Sequence, residues 1–173
     1  GAVAIGVEFG VDFNHTKAAL EAFEGVHRRF EIIDEVNGIM VVTDFGHHPT
    51  AIAATIEAAK SSWQRRIIVV FQAHLYSRTM ALAKEFGHSL LGADVAFILP
   101  IYPAREQPID GVTAELIYNA ARDAGHKQVH YIADKSTIVH EVCQIAHADD
   151  MVIVIGAGDV NKFAPQIVAG LNK

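Results

Sequence analysis

The run Ile67-Ile68-Val69-Val70-Phe71-Gln72-Ala73-His74-Leu75-Tyr76-Ser77-Arg78-Thr79 decides how this chain folds. Its first residues are continuously apolar and mostly β-branched, so no side chain alternates toward water. That is the pattern of a strand covered on both faces. A short polar loop follows, and helical spacing then begins at about Ser77 and runs to Leu91. The same succession occurs earlier, where Ile39 to Val42 leads into Thr43-Asp44-Phe45-Gly46-His47-His48-Pro49-Thr50. Pro49 suits the first position of a helix over Thr50 to Lys60, since its missing N–H has no intrahelical partner there.

Downstream the alternation continues. Val95 to Leu99, Val129 to Ile132 and Met151 to Ile155 read as strands; Thr113 to Ala124, Thr137 to Ala146 and Asn161 to Leu171 read as helices. Upstream, Asn37-Gly38 is a hairpin signal that pairs Glu31-Ile32-Ile33 with the Ile39 strand. Asn14 is the expected cap of a helix from about His15 to Phe23, ended by Gly25. Apolar strands separated by helices specify an α/β fold: a doubly wound, mostly parallel sheet with helices on both faces.

Composition narrows the function. At 173 residues with 51% hydrophobic content the chain builds one well-buried core and is not disordered. A net charge of −6 lacks the basic face that sequence-independent nucleic-acid binding requires. The single cysteine, Cys143, lies among apolar helical residues and reads as a packed thiol in a reducing compartment. No apolar run approaches the length of a membrane span. The opening Ala2-Val3-Ala4-Ile5-Gly6-Val7-Glu8-Phe9 reads as a helix already in progress, so an excised piece of a longer protein is expected.

Parallel strands place their carboxyl ends on one edge, where α/β folds hold ligands. That edge would carry Asp44, Phe45, His47 and His48, then His74, Tyr76 and Arg78, then Tyr102, Arg105 and Glu106, then Gly156-Ala157-Gly158-Asp159. The chemistry on offer is charge-based. Arg78 is suited to forking onto a carboxylate or phosphate, Asp44 to accepting from ribose hydroxyls or a metal, and the glycines to letting N–H groups approach an anion. A metal cage would need more strand-end Asp and His ligands than Asp159 adds. Gly156-Ala157-Gly158 also reads as a plain tight turn, and Arg28-Arg29 as a solvated surface pair. His126, His130, His140 and His147 are scattered and read as surface or packing residues.

Gly25-Val26-His27-Arg28-Arg29-Phe30, Asp44 to Thr50, Phe71 to Thr79, Tyr102-Pro103-Ala104-Arg105-Glu106 and Gly156 to Asp159 occur in an order and spacing that resembles the Mur ligases of peptidoglycan synthesis. The chain is similar to their C-terminal domain, and within the family to the branch that joins L-alanine to UDP-N-acetylmuramate. The resemblance implies a Rossmann-like domain over residues 26–173, preceded at residues 1–25 by the tail of the central ATPase domain. It implies an ATP- and Mg2+-dependent, ADP-forming, cytoplasmic ligase that activates a carboxylate as an acyl phosphate, with no catalysis by this portion alone. It further implies ATP phosphates near Arg29 and ribose at Asp44. Alanine is implied at His48 and Arg78, with His74 a neighbouring candidate.

The chain departs from the family pattern at Thr43, Phe45, Ala51, Ala73 and Leu75, where a second aspartate, tyrosine, glutamate, proline and, in some members, arginine are usual. No Gly-x-x-x-x-Gly-Lys-Ser/Thr phosphate loop occurs in the sequence. Two alternatives stand beside the alanine ligase. One is the murein-recycling ligase that attaches a tripeptide, which usually lacks the Phe71 to Thr79 pattern. The other is a non-catalytic Rossmann-like binding domain.

Overall fold

The computed structural model describes residues 1–23 and 25–173. A helical hairpin comes first, α1 (Ala2–Glu8) and α2 (Phe13–Glu21), followed by β1 (Glu31–Val36), β2 (Ile39–Asp44) and α3 (Pro49–Ser62). The chain continues through β3 (Arg66–His74), α4 (Tyr76–Ser89), β4 (Val95–Tyr102) and α5 (Glu115–Asp123). It ends with β5 (Val129–Tyr131), α6 (Ile138–Ile145), β6 (Asp150–Ile155) and α7 (Phe163–Leu171). Short 3-10 turns lead into α6 and α7.

The six strands form one sheet in the order β1-β2-β6-β3-β4-β5. Only β1 is antiparallel; Asn37 and Gly38 turn it into β2 with φ of 52° and 78°. Two successive left-handed residues define the hairpin turn that matches strand twist, and the Asn-Gly pair tolerates them. The remaining neighbours are parallel.

Side-chain alternation along the parallel strands divides the core in two. Met40, Val42, Ile67, Val69, Phe71, Ile153 and Ile155 face one way and pack with Ile52, Ile56, Phe86 and Ile117 of α3, α4 and α5. Val41, Ile68, Val70, Val152 and Val154 face the other and pack with Ile138, Val142 and Ile167 of α6 and α7. Both faces are therefore covered, which is why these strands carry no polar alternation.

Several boundaries differ from the sequence reading. Asp12, not Asn14, caps α2: its Oδ1 accepts the N–H groups of Asn14 at 2.9 Å and His15 at 3.4 Å, and the helix starts at Phe13. Either residue type suits a cap, but Asp12 stands where its oxygen reaches the second and third N–H groups. β3 and β4 run beyond their apolar stretches to His74 and Tyr102. In β4 the extension passes through Pro100, at an irregularity where pairing shifts from Gln72–Leu99 to His74–Tyr102. A proline is tolerated there because a bulge does not need its N–H.

Among titratable groups at the opposite, amino-terminal edge, Asp150 is fully buried and takes a two-point contact from Arg66, at 3.0 and 2.8 Å, plus the N–H of His147. A buried carboxylate so fully paired is a structural tie. Neither α1 nor α2 contributes a buried residue, and Phe9, Val7, Phe23 and Ile5 are largely exposed.

Candidate functional site

The loops leaving β2, β3, β4 and β6 meet on one rim. The helix after β3 crosses one face and the helix after β6 the other, so the loops diverge between these neighbouring strands. Crevices at such reversals are where doubly wound sheets bind ligands.

The β2 loop is tied from both sides. Asp44 accepts the Gly46 N–H through Oδ1 at 2.7 Å and the Phe30 N–H through Oδ2 at 2.9 Å, while its carbonyl accepts the Gly156 N–H at 3.0 Å. Phe30 sits at φ 44° and Arg28 at φ 58°, conformations that residues with a Cβ adopt only under restraint. The restraint is visible: Glu31 accepts the Arg28 N–H at 2.7 Å, and Phe30 stacks on Trp63 with ring centroids 5.2 Å apart. Arg28 itself is half-buried. Its guanidinium donates to the carbonyls of Gly156 at 2.9 Å and Gly158 at 3.2 Å and lies 4.7 Å over the Phe45 ring. The expectation of a solvated Arg28-Arg29 pair fails at Arg28, where two carbonyls and an aromatic face take the place of water around the guanidinium, although its Nε is buried without a partner among the described residues. Arg29 is exposed, in agreement with the other half of that reading.

From Phe45 a line of rings crosses the rim. Phe45 meets His47 edge-on at 5.3 Å, His47 meets His74 at 6.2 Å, and His74 stacks on Tyr102 at 5.8 Å. Gly158 packs against the far end of this line, where an added Cβ would lie 2.6 Å from both Tyr102 Cγ and Gln72 Oε1. Gln72 is buried, with its amide donating to Pro100 O at 3.4 Å. Arg78, in the first turn of α4, points its Nη1 at the His47 carbonyl from 3.4 Å. Burial, then the charge of Arg78 and then that of His47 push the His74 imidazole below its ordinary value, against an opposing pull from Glu106. His74 is thus a neutral ring at neutral pH, and its Nδ1 is buried without a partner among the described residues.

On the β6 side, Lys135 pairs with Asp159 at 2.7 Å. Burial works against ionisation of Asp159, but Lys135, the Gln72 side chain and the main chain together hold the carboxyl below its ordinary value.

The expected residues therefore divide. His74 and Arg78 share one half-buried group with His47 and Tyr102. Asp44 stands beside it, with each carboxylate oxygen already accepting a main-chain N–H. His48 is exposed at the start of α3, its Nδ1 3.0 Å from the Thr50 hydroxyl, and Arg29 is exposed on the Arg28–Phe30 turn. No described contact joins these two to the ring line. Arg28 is the residue that sequence reasoning missed; its partners lie 128 and 130 residues away, so no local pattern announces them. Among the described residues, no three His, Cys, Asp or Glu side chains group to hold a metal ion, and no helix is long and apolar enough to cross a membrane.

Comparison with known proteins matches this arrangement to named relatives. A UDP-N-acetylmuramate–L-alanine ligase of Geotalea daltonii is 42% identical over 171 residues, covering 99% of this chain and 37% of that protein. The crystal structure of the UDP-N-acetylmuramate-alanine ligase of Thermotoga maritima superposes with a TM-score of 0.77 at 24% identity, covering 96% of this chain and 35% of the other. A murein peptide ligase of Psychrobacter arcticus superposes with a TM-score of 0.70 at 26% identity, covering 99% of this chain and 35% of the other. The chain thus spans little more than a third of the length of the relatives it matches. The model of the Mur ligase glutamate ligase domain matches residues 28–158, from the strained turn at Arg28 to the glycine loop after β6. This chain belongs to the Mur ligase family.

Proposed function

We propose that the chain is the C-terminal domain of an ATP-dependent ligase that joins L-alanine to UDP-N-acetylmuramate, with residues 1–25 the tail of a central ATPase domain and residues 26–173 the domain proper. The observation that carries this reading is Arg78. Its guanidinium is held on the rim between His47 and His74 by one long contact to a carbonyl, and no described carboxylate engages it. A planar donor so placed fits an amino-acid carboxylate, which it can engage at two points.

In this reading His74, kept neutral by its surroundings, forms the wall beside the amino group of alanine and does not repel it. His48 is assigned to the outer side of the same subsite. Arg29, exposed on the turn, extends toward the ATP phosphates, and Asp44, with lone pairs left beyond its two main-chain bonds, lies toward the ribose. These groups fit a nucleotide arriving from outside the domain. ATP, when bound, supplies the phosphoryl group that activates the substrate carboxylate. The magnesium ligands and the phosphate cradle are assigned to the preceding domain of the longer protein, which in this reading also carries UDP-N-acetylmuramate.

The test is amino-acid-dependent phosphate release by the full-length protein with UDP-N-acetylmuramate, ATP and magnesium. Alanine should be strongly preferred over other amino acids. A preference for the tripeptide L-alanyl-γ-D-glutamyl-diaminopimelate would overturn the assignment in favour of a recycling ligase.

A further inference from the structure

Helix α4 begins without a cap of its own. Its N-cap position is Leu75, which has no side-chain acceptor and sits at φ 76°, costly for a residue with a Cβ. The first turn of a helix leaves main-chain N–H groups that must be satisfied from elsewhere. Here the β4 loop supplies the acceptors. Glu106 accepts the Ser77 N–H through Oε2 at 2.9 Å, and the Ser77 hydroxyl donates to Glu106 Oε1. The Leu75 N–H bonds to Tyr102 O at 3.0 Å. The loop is folded back on itself to reach this position, with the Glu106 N–H on Pro103 O at 2.9 Å and Ala104 at φ 52° between them. The Ser77 hydroxyl and then its N–H hold the Glu106 carboxyl below its ordinary range, so it is ionised at neutral pH.

Ser77 is the residue next to Arg78. Whatever fixes the main chain at Ser77 fixes the point from which the Arg78 guanidinium is aimed. Two-point recognition of a carboxylate tolerates little error at that point, since misplacement by about an ångström can cost on the order of a hundredfold. Accepting that Arg78 meets the amino acid, we propose that Glu106 is a positioning residue for Arg78: a cap delivered from the β4 loop that sets the first turn of α4 and joins two walls of the amino-acid subsite. Glu106 does not need to touch the substrate. Its effect on the amino acid is transmitted by Ser77 and the main chain.

The experiment is steady-state kinetics of the full-length protein, varying alanine and ATP separately, for wild type, Glu106→Ala, Glu106→Gln and Ser77→Ala. Glutamine retains an acceptor for the Ser77 N–H, whereas alanine removes both contacts. Glu106→Ala should raise the Michaelis constant for alanine on the order of tenfold or more, and leave that for ATP within about twofold. Glu106→Gln should recover most of the loss. Should Glu106→Ala fail to fold, Ser77→Ala, which deletes only the hydroxyl contact, carries the same comparison with a smaller rise. Alanine kinetics near wild type in Glu106→Ala would overturn the inference. So would a parallel rise for alanine and ATP, or a glutamine variant as impaired as the alanine one. A wild-type protein with no alanine-dependent turnover would instead refute the functional reading, and this inference with it; the wild-type arm distinguishes the two failures.

Discussion

Asp44 reaches back along the chain to accept the main-chain N–H of Phe30 at 2.9 Å, with its other oxygen on Gly46. The carboxylate therefore staples a turn containing two left-handed residues to the end of β2. Asp44→Ala leaves both N–H groups without their acceptor and should lower the stability of this chain by about 2 kcal/mol, given about 1.5–3 kcal/mol per bond to a charged group and partial compensation by water. Asp44→Asn, retaining one acceptor oxygen, should fall between. Urea denaturation checks the order. In the full-length protein the same variant should raise the Michaelis constant for ATP roughly tenfold, about 1.4 kcal/mol. An unchanged urea midpoint beside weakened ATP use would mean that Asp44 serves only the ligand.

Arg78→Lys should behave as a severe substitution. Lysine keeps the charge but presents a point donor in place of a planar fork, so alanine should be held out of line as well as less tightly. The expected result is a raised Michaelis constant for alanine together with turnover reduced on the order of a hundredfold, ATP being little affected. Wild-type alanine kinetics in this variant would remove Arg78 from the subsite.

Acid should weaken the fold in two stages. His74 and His126 both have imidazoles depressed below 6.5, chiefly by burial. The unfolded chain therefore takes up protons at higher pH than the folded one, and their contribution is complete above 6.5 and lost as pH falls through the folded values. The carboxyls of Glu31, Asp134 and Asp159 are also depressed, from 4.5, 3.8 and 3.8, and theirs is lost only at more acid pH. The urea midpoint should drop between pH 7.5 and 5.5. The double variant His74→Asn, His126→Asn should flatten that first stage. An unchanged slope would show that neither imidazole is depressed in the folded chain.

Removing residues 1–23 should leave the remainder folded. Neither α1 nor α2 buries a residue, and the two cores are complete without them. Cooperative unfolding with a stability within about 0.5 kcal/mol of the intact chain is expected. A large loss would mean that the hairpin is integral to the domain.

The strands were legible wherever both faces are buried, because Ile67 to Phe71 or Met151 to Ile155 can be little else. Their ends were not. Gln72, Ala73 and His74 continue β3, and Pro100 to Tyr102 continue β4, where core residues Ala73 and Ile101 alternate with the polar or half-exposed Gln72, His74, Pro100 and Tyr102 and so break the continuous apolar run. The convergence of four loops followed from parallel topology alone, so His74, Arg78, Tyr102 and Glu106 could be placed on one edge beforehand. What they do to one another could not. The Glu106–Ser77 clamp and the bonds from Arg28 to Gly156 and Gly158 join segments far apart in sequence, and their geometry depends on left-handed residues at Arg28, Leu75 and Ala104 that no propensity favours. Asp12 and Asn14 are equally good caps by type, and only the path of the chain chose between them.

The place of β6 bears on how a ribosome must deliver this domain. Its strand is the last to be synthesised, yet it lies between β2 and β3. Without Asp150–Ile155, β2 and β3 have no shared neighbour, and the pairing that remains is β1-β2 on one side and β3-β4-β5 on the other, each with an open and largely apolar edge. Such edges invite pairing with other chains. The final strand closes both at once and brings Gly156 and Gly158 up to Arg28. Joining the two parts of the sheet and completing the rim thus fall to the same strand, the last of the six in chain order.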